Sequence, residues 1–144
     1  WNNNPKVFYL GMQDQWYTFN MFDAQAWYVR DIILDRIKLP SFEIMKQDVI
    51  DRIEAEDALE DDYGCIDYQG AYTAELISET DYPSFDIKAA DKAFYEWKKN
   101  KKKDIMGFRD NNHLSPMTGT MAPLHHTKWV DALDDSLESY LQTS

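Results

Sequence analysis

The residues best placed to do chemistry follow a short apolar run near the start of the chain. Val7-Phe8-Tyr9-Leu10 is closed by Gly11, and Met12-Gln13-Asp14-Gln15-Trp16-Tyr17-Thr18 then leads into a nearly all-apolar helical stretch. In α/β proteins ligands sit at the carboxyl ends of strands. Amides at the N-terminus of the next helix stabilise developing negative charge. In that arrangement Gln13, Asp14, Gln15 and Trp16 face a pocket. The alternative is a core Trp16 with its polar neighbours turned to water, and on the residues alone that alternative is the better supported.

Other candidate chemistry is thin. His125-His126 suggests a metal pair, but adjacent residues on a strand or helix point apart and seldom share one ion. His113 and Cys65 are the remaining soft ligands, so a metal site is not expected. A Cys-His nucleophile has nothing behind it except the presence of both residue types. The acids Asp51, Glu54, Glu56, Asp57, Glu60, Asp61 and Asp62 lack the spacing and central Gly of a calcium loop and read as a solvated stretch. There is no G-x-G-x-x-G, no G-x-S-x-G and no H-E-x-x-H, so the usual dinucleotide cradle is not encoded here.

The elements that must position these residues read as mainly α. Residues 7–10 form a strand that Pro5 introduces. Its backbone groups need partners that no other segment supplies. About five helices follow. The first covers about residues 19–37, capped by Thr18 or Asn20 and apolar on almost every face. The second runs over 42–59, with Ile44, Met45, Val49, Ile50, Ile53 and Ala58 in one apolar stripe and a frayed acidic end. The third covers 66–79, with Tyr68, Tyr72, Leu76 and Ile77 inward. The fourth covers 87–103 and ends in lysines that complement its dipole. A fifth, 128–141, is capped by Thr127.

The totals bound the function. The chain has 144 residues, enough for one domain with a real core. Apolar residues make up 44%, and five Trp, nine Tyr and seven Phe argue against disorder. A net charge of −11 repels nucleic acid and anionic membrane. One cysteine cannot form an internal disulfide, and no stretch has the roughly 20 apolar residues of a membrane helix. The cytoplasm is therefore the expected compartment. A start at Trp1, just before an unpaired strand, carries the expectation of upstream sequence, with a trimmed tail as the alternative.

Longer strings add a resemblance. Asn4-Pro5-Lys6-Val7-Phe8-Tyr9-Leu10-Gly11-Met12-Gln13-Asp14-Gln15-Trp16 and Phe19-Asn20-Met21-Phe22-Asp23-Ala24-Gln25-Ala26-Trp27 resemble the last FAD-domain strand and helix of bacterial flavin-containing monooxygenases, of the trimethylamine monooxygenase type. The resemblance continues through Thr80-Asp81-Tyr82-Pro83-Ser84-Phe85-Asp86, Phe94-Tyr95-Glu96-Trp97-Lys98, Phe108-Arg109-Asp110 and Thr118-Gly119-Thr120-Met121-Ala122-Pro123. It covers the whole chain, most weakly at residues 42–66.

This resemblance implies a C-terminal fragment of a larger α/β enzyme, with residues 1–38 as the last strand and helix of an FAD-binding domain and 39–144 as a helical extension. The family uses FAD and NADPH to transfer one oxygen atom to a soft nucleophile such as a tertiary amine. Carried over by position, Gln13, Gln15, Trp16, Thr18 and Phe19 approach FAD, Asp14 and Trp16 the amine, and Trp97 and Arg109 NADP. The implied partners are the N-terminal remainder of the enzyme, further copies in a homo-oligomer, and a small amine. The isolated fragment is expected to be inactive. The rival readings are a free-standing helical interaction module and a dimerisation segment.

Overall fold

Three helices begin on a side-chain cap that the sequence supplies. The structure, a computed structural model, describes residues 4, 6–11, 16–110, 114–115 and 119–120. Among them are four α-helices: α1 (Phe19–Ile33), α2 (Phe42–Asp57), α3 (Asp62–Ser78) and α4 (Ile87–Lys103), followed by a 3-10 turn, Phe108–Asp110. Ser41 Oγ accepts the Ile44 amide at 3.4 Å, Asp61 Oδ1 the Gly64 amide at 2.9 Å, and Asp86 Oδ1 the Ala89 amide at 2.9 Å. Each cap satisfies an amide that has no partner within its helix and is worth about 1 kcal/mol. α1 is different. Thr18 holds its N-cap position without a side-chain bond, and the expected Thr18 or Asn20 cap is not formed.

Two helix boundaries differ from expectation. α1 stops at Ile33 and does not run to residue 37. Asp35 turns left-handed at φ 61°, a conformation Asp tolerates better than most residues, and the Arg36 and Ile37 amides fold back onto the Asp31 carbonyl. α3 begins at Asp62, four residues ahead of the expected start. Asp61 and Asp62 belong to its amino end, where negative charge complements the dipole.

The described residues are mainly helical. Residues 7–10 form no strand there, and Tyr9 and Leu10 are exposed. A strand exists only when a neighbouring edge takes its backbone groups. The expected helix at 128–141, with His113, His125 and His126, lies outside the described residues.

The chain forms two compact units, Trp1–Ser84 and Phe85–Ser144. In the first, α1 packs on α3. Tyr17, Met21, Ala24, Ile66, Thr73 and Leu76 are buried. The two ends of α1 are uncovered: Phe19 and Ile33 are exposed, as is Leu34 just beyond it. α2 buries no residue, and Ile44, Val49, Ile50 and Ile53 of its apolar stripe are exposed. α2 meets α3 through polar contacts, Arg52 with Glu75 at 2.9 Å and the Tyr68 hydroxyl on the Arg52 carbonyl at 3.5 Å. In the second unit α4 packs on the 3-10 turn, and Phe108 is buried.

Candidate functional site

Gln13, Asp14 and Gln15 lie outside the described residues, but both flanks of that segment are described. On the far side, the backbone amides of Trp16 and Tyr17 converge on one atom, Gln69 Oε1 of α3, at 2.7 and 3.1 Å. A carbonyl oxygen has two lone pairs and accepts both. On the near side the Gly11 amide donates to Gln25 Oε1 of α1 at 2.9 Å. Gln25 Nε2 in turn donates to the Tyr72 hydroxyl of α3 at 3.1 Å. Gln69 and Tyr72 are three residues apart and share a helix face.

Gly11 is required where it stands. Its φ is +70°, and a Cβ built there meets the Phe22 ring at 3.0 Å. Trp16 is half-buried and Tyr17 is buried at 2% exposure. Thr18 and Phe19 are exposed, and Phe19 meets Phe22 edge-on at 6.4 Å. A cavity of about 50 Å³ is lined by Met21, Arg52, Glu56, Tyr68, Gln69 and Tyr72. It is of a size to hold water rather than a substrate.

The far end of α1 anchors the Asp81-Tyr82 connector. Arg30 grips Asp31 through two nitrogens at 2.9 and 2.8 Å and also reaches Asp81. Its guanidinium lies 4.3 Å from the centroid of the Trp27 ring, which meets Tyr82 edge-on at 5.3 Å. Arg36 adds a second cation to Asp31 at 3.1 Å. The Arg30 hydrogen bonds hold the Asp31 carboxyl below its ordinary pKa. Burial, followed by the charge of Glu79, raises the Tyr28 phenol.

Trp97 and Arg109 share a neighbour in the second unit. Trp97 meets Phe108 edge-on at 5.1 Å, and Lys101 Nζ lies 4.9 Å from the Trp97 ring centroid. The Arg109 guanidinium is 4.8 Å from the Phe108 ring centroid, and Arg109 is exposed. Trp97 therefore packs within its unit, while Arg109 presents positive charge to solvent. Among the described residues no three His, Cys, Asp or Glu side chains are grouped to hold a metal, and no helix is long and apolar enough to cross a membrane.

The residues that sequence reasoning missed are Gln25, Gln69 and Tyr72. Gln25 carried a signal, because a carboxamide amid Ala24, Ala26 and Trp27 must find a partner when buried. Gln69 carried none.

No family model matches the chain. It is 70% identical over 138 residues to the trimethylamine monooxygenase of Roseovarius sp. (strain 217), covering 96% of this chain and 31% of that protein. It is 54% identical over 140 residues to the trimethylamine monooxygenase of Methylocella silvestris, covering 97% of this chain and 31% of that one. The crystal structure of Tmm from Pelagibacter sp. strain HTCC7211 aligns with a TM-score of 0.84 at 46% identity, over 97% of this chain and 32% of that one. The chain thus spans about a third of the length of the curated relatives it matches.

Proposed function

This chain belongs, over the portion it spans, to the trimethylamine monooxygenases, and on that premise we propose that it is the C-terminal portion of an FAD- and NADPH-dependent enzyme that N-oxygenates trimethylamine and related amines or sulfides. The observation that carries the proposal is the tethering of both flanks of residues 12–15, at Gly11 and at Trp16. The Trp16 amide is held on Gln69, and Asp14 stands two residues before it in the sequence. An acid and an aromatic face suit a methylammonium cation.

The first turn of α1 fits the edge of a flat, electron-rich ring. Thr18 leaves the first-turn amides without a side-chain cap, and Phe19 is turned outward. Helix amino ends favour negative charge. Gln13, Gln15, Trp16, Thr18 and Phe19 are accordingly assigned to FAD. Arg109, exposed beside Phe108, fits a phosphate of NADP. Trp97 contributes by holding that neighbourhood and by any ring surface left for stacking. FAD and NADPH supply the redox chemistry when bound, and the chain's own residues orient and shield.

In this reading residues 7–10 pair with a sheet of the N-terminal remainder, and residues 128–141 add a fifth helix. The division after residue 38 separates flavin-binding sequence from extension. It is a division of role, whereas the packing division follows Ser84. The whole enzyme is a cytoplasmic homo-oligomer. The 144-residue chain alone lacks the glycine loops for either dinucleotide and is inactive.

The exposed apolar stripe of α2 favours a second reading, an interaction or dimerisation module without catalysis. One experiment separates the two. The 144-residue chain and the enzyme encoded by the complete reading frame are purified and incubated with FAD. Flavin absorbance and amine-dependent NADPH oxidation in the complete enzyme, with neither in the short chain, supports the proposal. A complete reading frame that ends with this segment alone, or flavin bound by the short chain, overturns it.

A further inference from the structure

We propose that α2 of one copy receives residues 101–106 of a second copy, and that the homo-oligomer of the complete enzyme forms through this contact; the proposal rests on the reading above. Phe42, Val49, Ile50 and Ile53 recur at helical spacing and share one face of α2, and all four are exposed. Apolar surface grouped in this way marks a contact site. Acids border its carboxyl half. Glu54 and Asp57 stand one turn on from Ile50 and Ile53, and both are exposed. α2 has no basic residue in its last turn, so these carboxylates add to the negative end of the helix dipole. A segment that suits this face brings apolar surface and positive charge together.

The chain itself holds such a segment. Lys101, Lys102 and Lys103 close α4, and all three are exposed. Ile105 and Met106 follow directly, and Met106, at 89%, is the most exposed of the large apolar side chains among the described residues. Their turn is held from within. Asp104 Oδ1 accepts the Met106 and Gly107 amides at 3.1 and 3.0 Å, and the Phe108 amide donates to the Asp104 carbonyl at 3.0 Å. Two apolar side chains thus stand on a fixed turn beside three cations. A second α2 is a poorer occupant. Glu43, Asp48, Asp51, Glu54, Glu56 and Asp57 outnumber Lys46 and Arg52, so pairing the helix with itself sets like charge against like. In a two-fold pair each copy both gives and receives the segment, and the contact forms twice.

The test uses the complete enzyme. One variant reverses the cations, Lys102→Glu with Lys103→Glu. The other reverses the acids, Glu54→Lys with Asp57→Lys. All four side chains are exposed. Sedimentation of either variant alone is expected to show association weakened by about tenfold or more, because every contact then sets like charges together. An equimolar mixture of the two is expected to associate as the wild type does, since each α2 now meets the opposite charge, and native mass spectrometry of differently tagged copies should find mixed pairs. Ile53→Ser and Met106→Ser leave the charges in place and weaken association as well. These two decide the matter if a charge-reversal variant fails to fold, and wild-type association in both then overturns the proposal. Wild-type association in both charge-reversal variants overturns it too, and leaves α2 to the N-terminal remainder of the enzyme. Association lost in each variant and not restored by mixing also overturns it, because the effect then lies within one copy. A monomeric complete enzyme overturns it outright. A complete enzyme that binds no flavin overturns the functional reading instead, whatever its oligomeric state.

Discussion

The carboxamide of Gln25 donates to the Tyr72 hydroxyl at 3.1 Å and joins α1 to α3 through a side chain only 5% exposed. A buried amide stays folded only while its hydrogen-bonding groups are satisfied, and Gln25 also accepts the Gly11 amide at 2.9 Å. Gln25 thus links the packing of α1 on α3 to the path of the chain at Gly11.

Gln25→Met should therefore lower stability by about 1–3 kcal/mol, since it removes the acceptor for the Gly11 amide and the donor to the Tyr72 hydroxyl. Tyr72→Phe should cost about 1 kcal/mol. The double variant should lose less than the sum, because each change removes a bond the other has already broken. Urea unfolding of the four proteins gives the coupling. Strict additivity would mean that the two side chains do not interact.

The glycines sort by what surrounds them. Gly11→Ala meets both a left-handed backbone and the Phe22 ring at 3.0 Å, so it should cost more than the roughly 1–2 kcal/mol of the backbone alone. Gly119→Ala, at φ +72° with open space around it, should cost only the backbone share. Gly64→Ala should stabilise by up to about 1 kcal/mol. It lies in the first turn of α3, its added Cβ finds ordinary contacts at 3.5 and 3.7 Å, and Ala is the better helix former. Thermal melts of the three variants should rank in that order.

Helix identity was legible in the sequence because local chemistry decides it. α4 runs from Ile87 to Lys103 as its periodicity, its Asp86 cap and its terminal lysines indicate. The acidic run before residue 63 divides between the end of α2 and the start of α3, a division that like charges in sequence do not mark. Asp61 and Asp62 open α3, and the bonds from the Gly64 amide to the Asp61 side chain and from the Cys65 amide to its carbonyl distinguish that from fraying of α2. Tertiary burial was less legible. The α2 stripe has the period of a core helix, yet Ile44 and Ile53 are 60% and 52% exposed. Periodicity reports that a face is apolar and says nothing about what covers it. The Gln25, Gln69 and Tyr72 tether spans about 50 residues and depends on how α1 lies against α3, which no local pattern encodes.

Acid should weaken the first unit through Asp31. Its carboxyl titrates below the unfolded value of about 3.9 because Arg30, with Arg36 behind it, favours the charged form. The folded state then holds the proton less tightly than the unfolded one. The stability this contributes is complete above pH about 4 and is lost as pH falls through the lower, folded pKa. Tyr28 acts at the other extreme. Its raised pKa, caused first by burial, keeps its contribution complete below pH about 10 and removes it as pH climbs further. Melting temperature against pH should fall at both ends. Asp31→Asn should flatten the acid arm and leave the alkaline arm in place, and an unchanged acid slope would show that Asp31 is not its source.

Phe108 and Arg109 should separate stability from cofactor recognition although they are adjacent. Phe108 is 2% exposed and meets Trp97 edge-on at 5.1 Å. Phe108→Ala should cost about 3–5 kcal/mol, the usual penalty for emptying a buried aromatic site. Arg109 is exposed, and its guanidinium only overlies the Phe108 ring. Arg109→Gln should change stability by no more than about 0.5 kcal/mol. Under the proposed function the same change in the complete enzyme removes a partner for an NADP phosphate and raises the KM for NADPH about tenfold, the worth of one charge-assisted hydrogen bond. Flavin content and the KM for amine should not move, because the FAD and amine contacts are assigned to residues 13–19. Steady-state kinetics with each substrate varied in turn checks this. A shift in the amine KM with none for NADPH would reassign Arg109 to the amine site.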